Sequence, residues 1–154
     1  MKPAAILFVC LGNICRSPMA EYVMRRRAAE AGLQHVVRTD SAGTSGWHDG
    51  EDMHEGTRRV LERHGIDAGG FTSRRVVSDD LAAFDFIIAM DDNNLAELEK
   101  RFGRHPEKMF KLTDLIPDCG RDHVPDPWYT GDFDETYRLV DAGCAALLEQ
   151  IQRT

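Results

Sequence analysis

The chain has no Cys-x-x-Cys pair and no paired histidine spacing, so neither a zinc site nor any other metal is read from it. It has only four cysteines, Cys10, Cys15, Cys119 and Cys144, and nothing beside them suggests export, so no disulfide framework is expected. It has no long hydrophobic run. The first apolar stretch, AAILFVC (4–10), breaks at Gly12, and no small-residue cleavage site follows, so it reads as a strand and not as a signal peptide or a membrane span. It has no excess of basic charge. With 19 basic and 26 acidic residues the net charge is −7, which disfavours non-specific binding to nucleic acid or anionic membranes. Low-complexity tracts, internal repeats and linkers are also missing. What remains is 154 residues with 42% apolar and 29% charged side chains, enough for one globular domain, 1–154, with its own core. The reading is cytoplasmic, with release from the cell left open.

Strand-like and helix-like patterns alternate along the chain. AAILFVC (4–10) is apolar throughout, as in a parallel strand buried on both faces. SPMAEYVMRRRAAEAG (17–32) reads as a helix, with Ser17 as its cap, Pro18 in the first turn and Gly32 at its end. Strands follow at 36–43, 84–90 and 108–112, and helices at 55–65, at 92–103 and from Phe133 onward. A polar, proline-rich loop is expected over 113–132. The pattern predicts an α/β fold, a doubly wound three-layer sandwich around a four-stranded parallel sheet. In such sheets, sites form at the carboxyl ends of the strands, where Cys10, Ser41 and Asp91 fall.

The stretch between the first strand and the first helix, VCLGNICRSPMAE (9–21), holds the chemistry. Free backbone N–H groups and the positive end of a helix dipole converge there, which makes an anion cradle. Gly12 is expected to supply backbone freedom, and Asn13 tolerates a left-handed conformation. Arg16 adds a permanently charged fork suited to two phosphate oxygens. Cys10 sits at the floor, where amides, dipole, Arg16 and the Ser17 hydroxyl all favour its thiolate. A thiolate facing a bound phosphate is a nucleophile for phosphoryl transfer, and the departing oxygen needs an acid. Asp126, flanked by Pro125 and Pro127, is the candidate, with Trp128 and Tyr129 beside it.

The string Cys10-Leu11-Gly12-Asn13-Ile14-Cys15-Arg16-Ser17-Pro18, with the distant Asp126-Pro127-Trp128-Tyr129, resembles the low-molecular-weight protein tyrosine phosphatases. Ser41-Ala42-Gly43-Thr44 and Trp47-His48 fit the same pattern, and the similarity spans nearly the whole chain. The resemblance implies Cys10 as nucleophile, Arg16 as clamp and Asp126 as general acid and base. It implies phosphate binding by the amides of Leu11, Gly12, Asn13, Ile14, Cys15 and Arg16, and bracing by Asn13 and Ser41, with Ser17 tuning Cys10. Leu11, Ile14, Trp47, Trp128 and Tyr129 would wall a cleft suited to phosphotyrosine. It also implies a reversible Cys10–Cys15 disulfide that protects the nucleophile. Phosphotyrosine proteins are the implied partners, with a tyrosine kinase acting back on Tyr129, and the protein is a monomer or weakly self-associated. No cofactor is implied.

Two positions depart from the family pattern. Trp128 replaces the first of two adjacent tyrosines, which confines regulation by phosphorylation to Tyr129. Phe71 stands near a histidine that braces the loop in many relatives. Three rival readings remain: a protein arginine phosphatase, disfavoured by Ile14 where those relatives carry threonine; an arsenate reductase, whose relay cysteines are missing between 15 and 119; and a phosphoryl carrier or phosphopeptide-binding module. Cys144 is expected in the core and Cys119 as a bystander. Asp91 and Asp92 read as helix caps, His64 as a structural hydrogen-bonding group, Arg25-Arg26-Arg27 as a solvated helix face, and Arg74-Arg75 as solvated charges or as a lure for acidic substrates.

Overall fold

The computed structural model describes residues 2–154. Four parallel strands form one sheet: β1 (Ala4–Cys10), β2 (Val37–Gly43), β3 (Phe86–Ala89) and β4 (Met109–Lys111), in the order β2-β1-β3-β4. β1 lies between β2 and β3, and all seven of its residues are buried, which is why it carries no polar side chain.

The alternation of side chains along β1 sorts the two outer layers. Ala4, Ile6, Phe8 and Cys10 pack with α1 (Arg16–Glu30), α2 (Glu55–Arg63) and the long α6 (Phe133–Gln152). Ala5, Leu7 and Val9 pack with the short α3 (Asp80–Ala83) and α4 (Asp92–Phe102). This is the three-layer, doubly wound sandwich expected from the sequence. No helix among the described residues is long and apolar enough to cross a membrane.

Several local expectations are corrected. The 113–132 stretch is not all loop: a 3-10 turn spans Leu112–Leu115, and α5 spans Pro127–Thr130 with Asp126 as its cap. Ser17 does not cap α1. The helix begins at Arg16 with Cys15 at the cap position and no side-chain cap bond; Ser17 lies inside the first turn, and its hydroxyl accepts from Asn13 and faces Cys10. The other end of α1 behaves as expected. Gly32 takes φ 74°, and the N–H groups of Gly32 and Leu33 return to the carbonyls of Ala29 and Ala28, closing the last turn. His64 stacks flat on Tyr137, with ring centroids 3.8 Å apart, instead of hydrogen bonding through its ring. Cys144 is core, as expected.

Candidate active site

β1 ends at Cys10 and α1 begins six residues later, and in the loop between them Asn13, Ile14 and Cys15 are buried while Leu11 and Gly12 are half-buried. Asn13 is the one non-glycine residue with positive φ among those described, at 55°, so the left-handed corner falls on Asn13 and not on Gly12. Gly12 sits close under His48: a Cβ there would lie 3.0 Å from His48 Cδ2, so that side chain would have to shift slightly to admit one. Among the described residues, none of the backbone N–H groups of residues 11 to 17 donates to another protein group. A row of uncommitted donors at a helix N-terminus is an anion-binding arrangement.

The side chains beneath the loop form a directed chain of hydrogen bonds. The amide N–H of Arg74 donates to Asn13 Oδ1 at 2.9 Å, which fixes which way the Asn13 amide faces. Asn13 Nδ2 then donates to Ser17 Oγ at 2.9 Å and to Ser41 Oγ at 3.0 Å. Both hydroxyls, having accepted, turn their hydrogens outward. Ser41 donates to Glu21 Oε1 at 2.6 Å. Ser17 lies 3.0 Å from Cys10 Sγ, nearer than its other acceptor, the Ala42 carbonyl at 3.5 Å, so its hydrogen faces the sulfur. A Cys10 thiolate, having no proton to give, can only accept here, from a hydroxyl already positioned by Asn13.

Arg16 is 3% exposed and held on three sides. Its NH1 group donates to Asp91 Oδ2 at 2.6 Å and to the Val124 carbonyl at 2.9 Å, and NH2 lies 3.5 Å from Asp126 Oδ2. Burial alone would lower its affinity for a proton, but Cys10, Asp91 and Asp126 around it hold the guanidinium above its ordinary value. Nε is buried without a hydrogen-bond partner. Asp126 accepts the Trp128 N–H at 3.1 Å, so one carboxylate caps α5 and faces Arg16. Cys15 is buried, and its thiol is pushed up to about 12, by desolvation first and by Cys10 and Asp126 next, so it stays protonated at neutral pH.

These residues enclose a cleft of about 150 Å³ lined by Cys10 to Gly12, Ile14 to Arg16, Trp47, His48, Asp126, Trp128 and Tyr129. Trp47, Trp128 and Tyr129 are 73%, 56% and 79% exposed, an aromatic rim above a buried floor. Among the described residues, no three His, Cys, Asp or Glu side chains converge as metal ligands.

The family model described as low molecular weight phosphotyrosine protein phosphatase matches residues 5–154. The chain belongs to this family. It is similar to the low molecular weight protein-tyrosine-phosphatase YfkJ of Bacillus subtilis, 47% identical over 97% of this chain and 96% of that protein. The crystal structure of YfkJ superposes with a TM-score of 0.95 at 45% identity, covering 99% of this chain and 97% of the other. The PtpA protein-tyrosine-phosphatase of Staphylococcus aureus is 38% identical over 95% of this chain and 92% of its own. A structure titled drosophila arginine phosphatase matches with a TM-score of 0.85 at 30% identity, covering 98% of each chain.

Every site residue expected from the sequence lies at this cleft or directly beneath it, Ser41 included. Three participants were missed. Asp91 was read only as a cap; it does cap α4, accepting the Asn94 N–H at 2.8 Å, and it also holds Arg16. Glu21 terminates the Asn13–Ser41 chain; burial raises its carboxyl above its ordinary value, against the opposing Ser41 hydrogen bond and Arg25 charge. Arg74 is not a solvated charge: it pairs with Asp80 and Asp40 and lends its amide to Asn13. Phe71 takes no part in bracing; it is buried edge-on against Tyr22.

Proposed function

We propose that the protein hydrolyses protein phosphotyrosine through a cysteinyl-phosphate intermediate. The observation that carries this reading is the Cys10 sulfur, hydrogen bonded by Ser17, at the floor of a ring of uncommitted amides with Arg16 and Asp126 facing it. The phosphoryl group sits in the ring of amides from Leu11 to Arg16, and one of its oxygens satisfies the orphaned Arg16 Nε–H. The Cys10 thiolate attacks phosphorus as the bond to the phenolic oxygen breaks, and Asp126 delivers its proton to that oxygen. Water then attacks the cysteinyl phosphate, gives a proton to Asp126, and releases inorganic phosphate and the thiolate. Charge that builds on the equatorial oxygens meets fixed N–H donors and a buried guanidinium. The bound dianion also competes with Asp126 for Arg16. Trp47, Trp128 and Tyr129 flank the phenyl ring, and a phenol leaves more readily than an alkyl alcohol.

Likeness to a protein titled an arginine phosphatase supports one rival, phosphoarginine hydrolysis by the same loop. Ile14 weighs against it. Its buried side chain lines the cleft and offers an apolar wall, with no hydroxyl to engage a guanidinium or orient water. In the remaining roles Cys15 is the redox partner of Cys10, poised on the same loop as a protonated thiol, and residues 1–154 act as one domain. Initial rates of phosphate release from a phosphotyrosine peptide and from phosphoarginine, side by side, test the reading. Preference for the tyrosine peptide and loss of all turnover in Cys10→Ser are expected. Preference for phosphoarginine, or full activity in Cys10→Ser, would overturn it.

A further inference from the structure

Ser73 is buried and sixty positions away from Asn13 in the chain, yet its Oγ donates to the Asn13 backbone carbonyl at 2.6 Å. The next residue, Arg74, donates its amide to the Asn13 side chain. Asn13 is therefore gripped through main chain and side chain by the same two residues. Their segment is itself anchored. Gly43 N–H donates to the Arg74 carbonyl and Val76 N–H to the Gly43 carbonyl. Ser73 exchanges main-chain bonds with the 50–51 turn, and the Arg74 side chain pairs with Asp80 and Asp40.

The peptide linking Asn13 to Ile14 follows the left-handed corner. In a trans peptide the carbonyl and the next N–H point in opposite directions, and no cis peptide is present among the described residues. Whatever captures the Asn13 oxygen therefore aims the Ile14 N–H. That N–H donates to no other group among the described residues, and Ile14 lines the cleft. The Asn13 side chain has three other bonds, but none of them sets this peptide; the Ser73 hydroxyl does.

We propose that Ser73 is a positioning residue for the phosphate cradle, holding the Asn13–Ile14 peptide with its N–H turned toward the anion. This rests on the reading of residues 11 to 17 as a phosphate site. Ser73 touches neither Cys10 nor substrate; it preorganises one donor, so the bound anion does not bear the cost of turning the peptide.

Isothermal titration with inorganic phosphate on the wild type, Ser73→Ala, Ser73→Thr and Ser73→Cys, run beside thermal unfolding and steady-state kinetics, tests this. Ser73→Ala should weaken phosphate binding about ten-fold, the equivalent of one lost buried hydrogen bond. Its kcat/KM should fall by the same factor. Ser73→Thr keeps the hydroxyl and should stay within about two-fold, while Ser73→Cys, a weaker donor of similar size, should fall between them. Wild-type phosphate affinity in Ser73→Ala or Ser73→Cys, whatever the melting temperature does, overturns the role of Ser73 and leaves the phosphate site standing. Failure of the wild type to bind phosphate overturns the site itself, and the role of Ser73 with it.

Discussion

Asp91 serves two partners with one carboxylate, and substitutions there separate them. Oδ1 accepts the Asn94 N–H at 2.8 Å and caps α4; Oδ2 accepts Arg16 NH1 at 2.6 Å. Asp91→Ala removes both. Loss of a cap costs about 1 kcal/mol. Loss of one partner of a buried ion pair costs about 3 kcal/mol, at the low end of the usual range because the Val124 carbonyl and Asp126 still hold the guanidinium. The expected destabilisation is therefore about 4 kcal/mol, read by urea unfolding. Asp91→Asn keeps one acceptor oxygen of the same shape. That oxygen can serve the α4 amide or Arg16 but not both, and the new NH2 group faces a donor. Its stability cost should be about 2 kcal/mol. Freed on one side, Arg16 would sit less squarely on the phosphoryl group, so kcat/KM should fall about ten- to a hundred-fold in the Asn variant. An Asn variant with wild-type kcat/KM, together with an Ala variant that loses only the cap energy, would refute the claim that Asp91 orients the clamp.

Ser17→Ala removes the hydroxyl 3.0 Å from the sulfur, so alkylation of Cys10 by iodoacetate at neutral pH should slow about ten-fold with little change in fold stability; an unchanged rate would sink the hydrogen bond. The Cys15 thiol is raised from 9.0 to about 12 in the folded protein, so folding favours its protonated form. Its contribution to stability is complete below pH 9 and is lost as pH rises from there toward 12, at up to about 1.4 kcal/mol per pH unit. Cys15→Ala should flatten that part of the alkaline unfolding profile, with buried Cys144 and the partly buried Tyr22 and Tyr137, all raised, contributing to the slope that remains. A Cβ on Gly43 would lie 2.8 Å from the Leu11 carbonyl and 2.9 Å from that of Ser45, both backbone atoms that cannot swing aside. Gly43→Ala should therefore displace the loop and lower kcat/KM more than ten-fold while costing about 1–3 kcal/mol, and an active Ala variant would show the loop to be more tolerant.

The parts legible in the sequence are those whose signal is local. AAILFVC is apolar at every position because β1 is covered on both faces, so strand and burial are read together. The loop motif, the proline-flanked Asp126 and the aromatics beside it announce themselves within a few residues. Asp91 was half legible: its place before Asn94 predicts a cap, but its bond to Arg16 spans 75 positions. Glu21 looked like one more helix carboxylate, and the Arg74 amide has no sequence signature, because every residue but proline carries one. For Ser17 the contact with Cys10 was legible and the capping role was not: the helix starts one residue earlier, at Arg16, and the Ser17 oxygen accepts from Asn13.

By itself, the sequence determined the parallel sheet, the layers and the identity of the reactive groups, because hydrophobic periodicity and a contiguous loop are properties of the chain's own order. Only the tertiary structure decided how those groups are aimed. The Asn13 amide is turned by Arg74, the Ser17 hydrogen by Asn13, and the Arg16 fork by Asp91 and Val124. Three of these bonds join segments far apart in the chain, and the fourth, from Asn13 to Ser17, is local but aimed only because Arg74 has turned the Asn13 amide. Direction is set by where the partner lies in space, and no spacing along the chain encodes it.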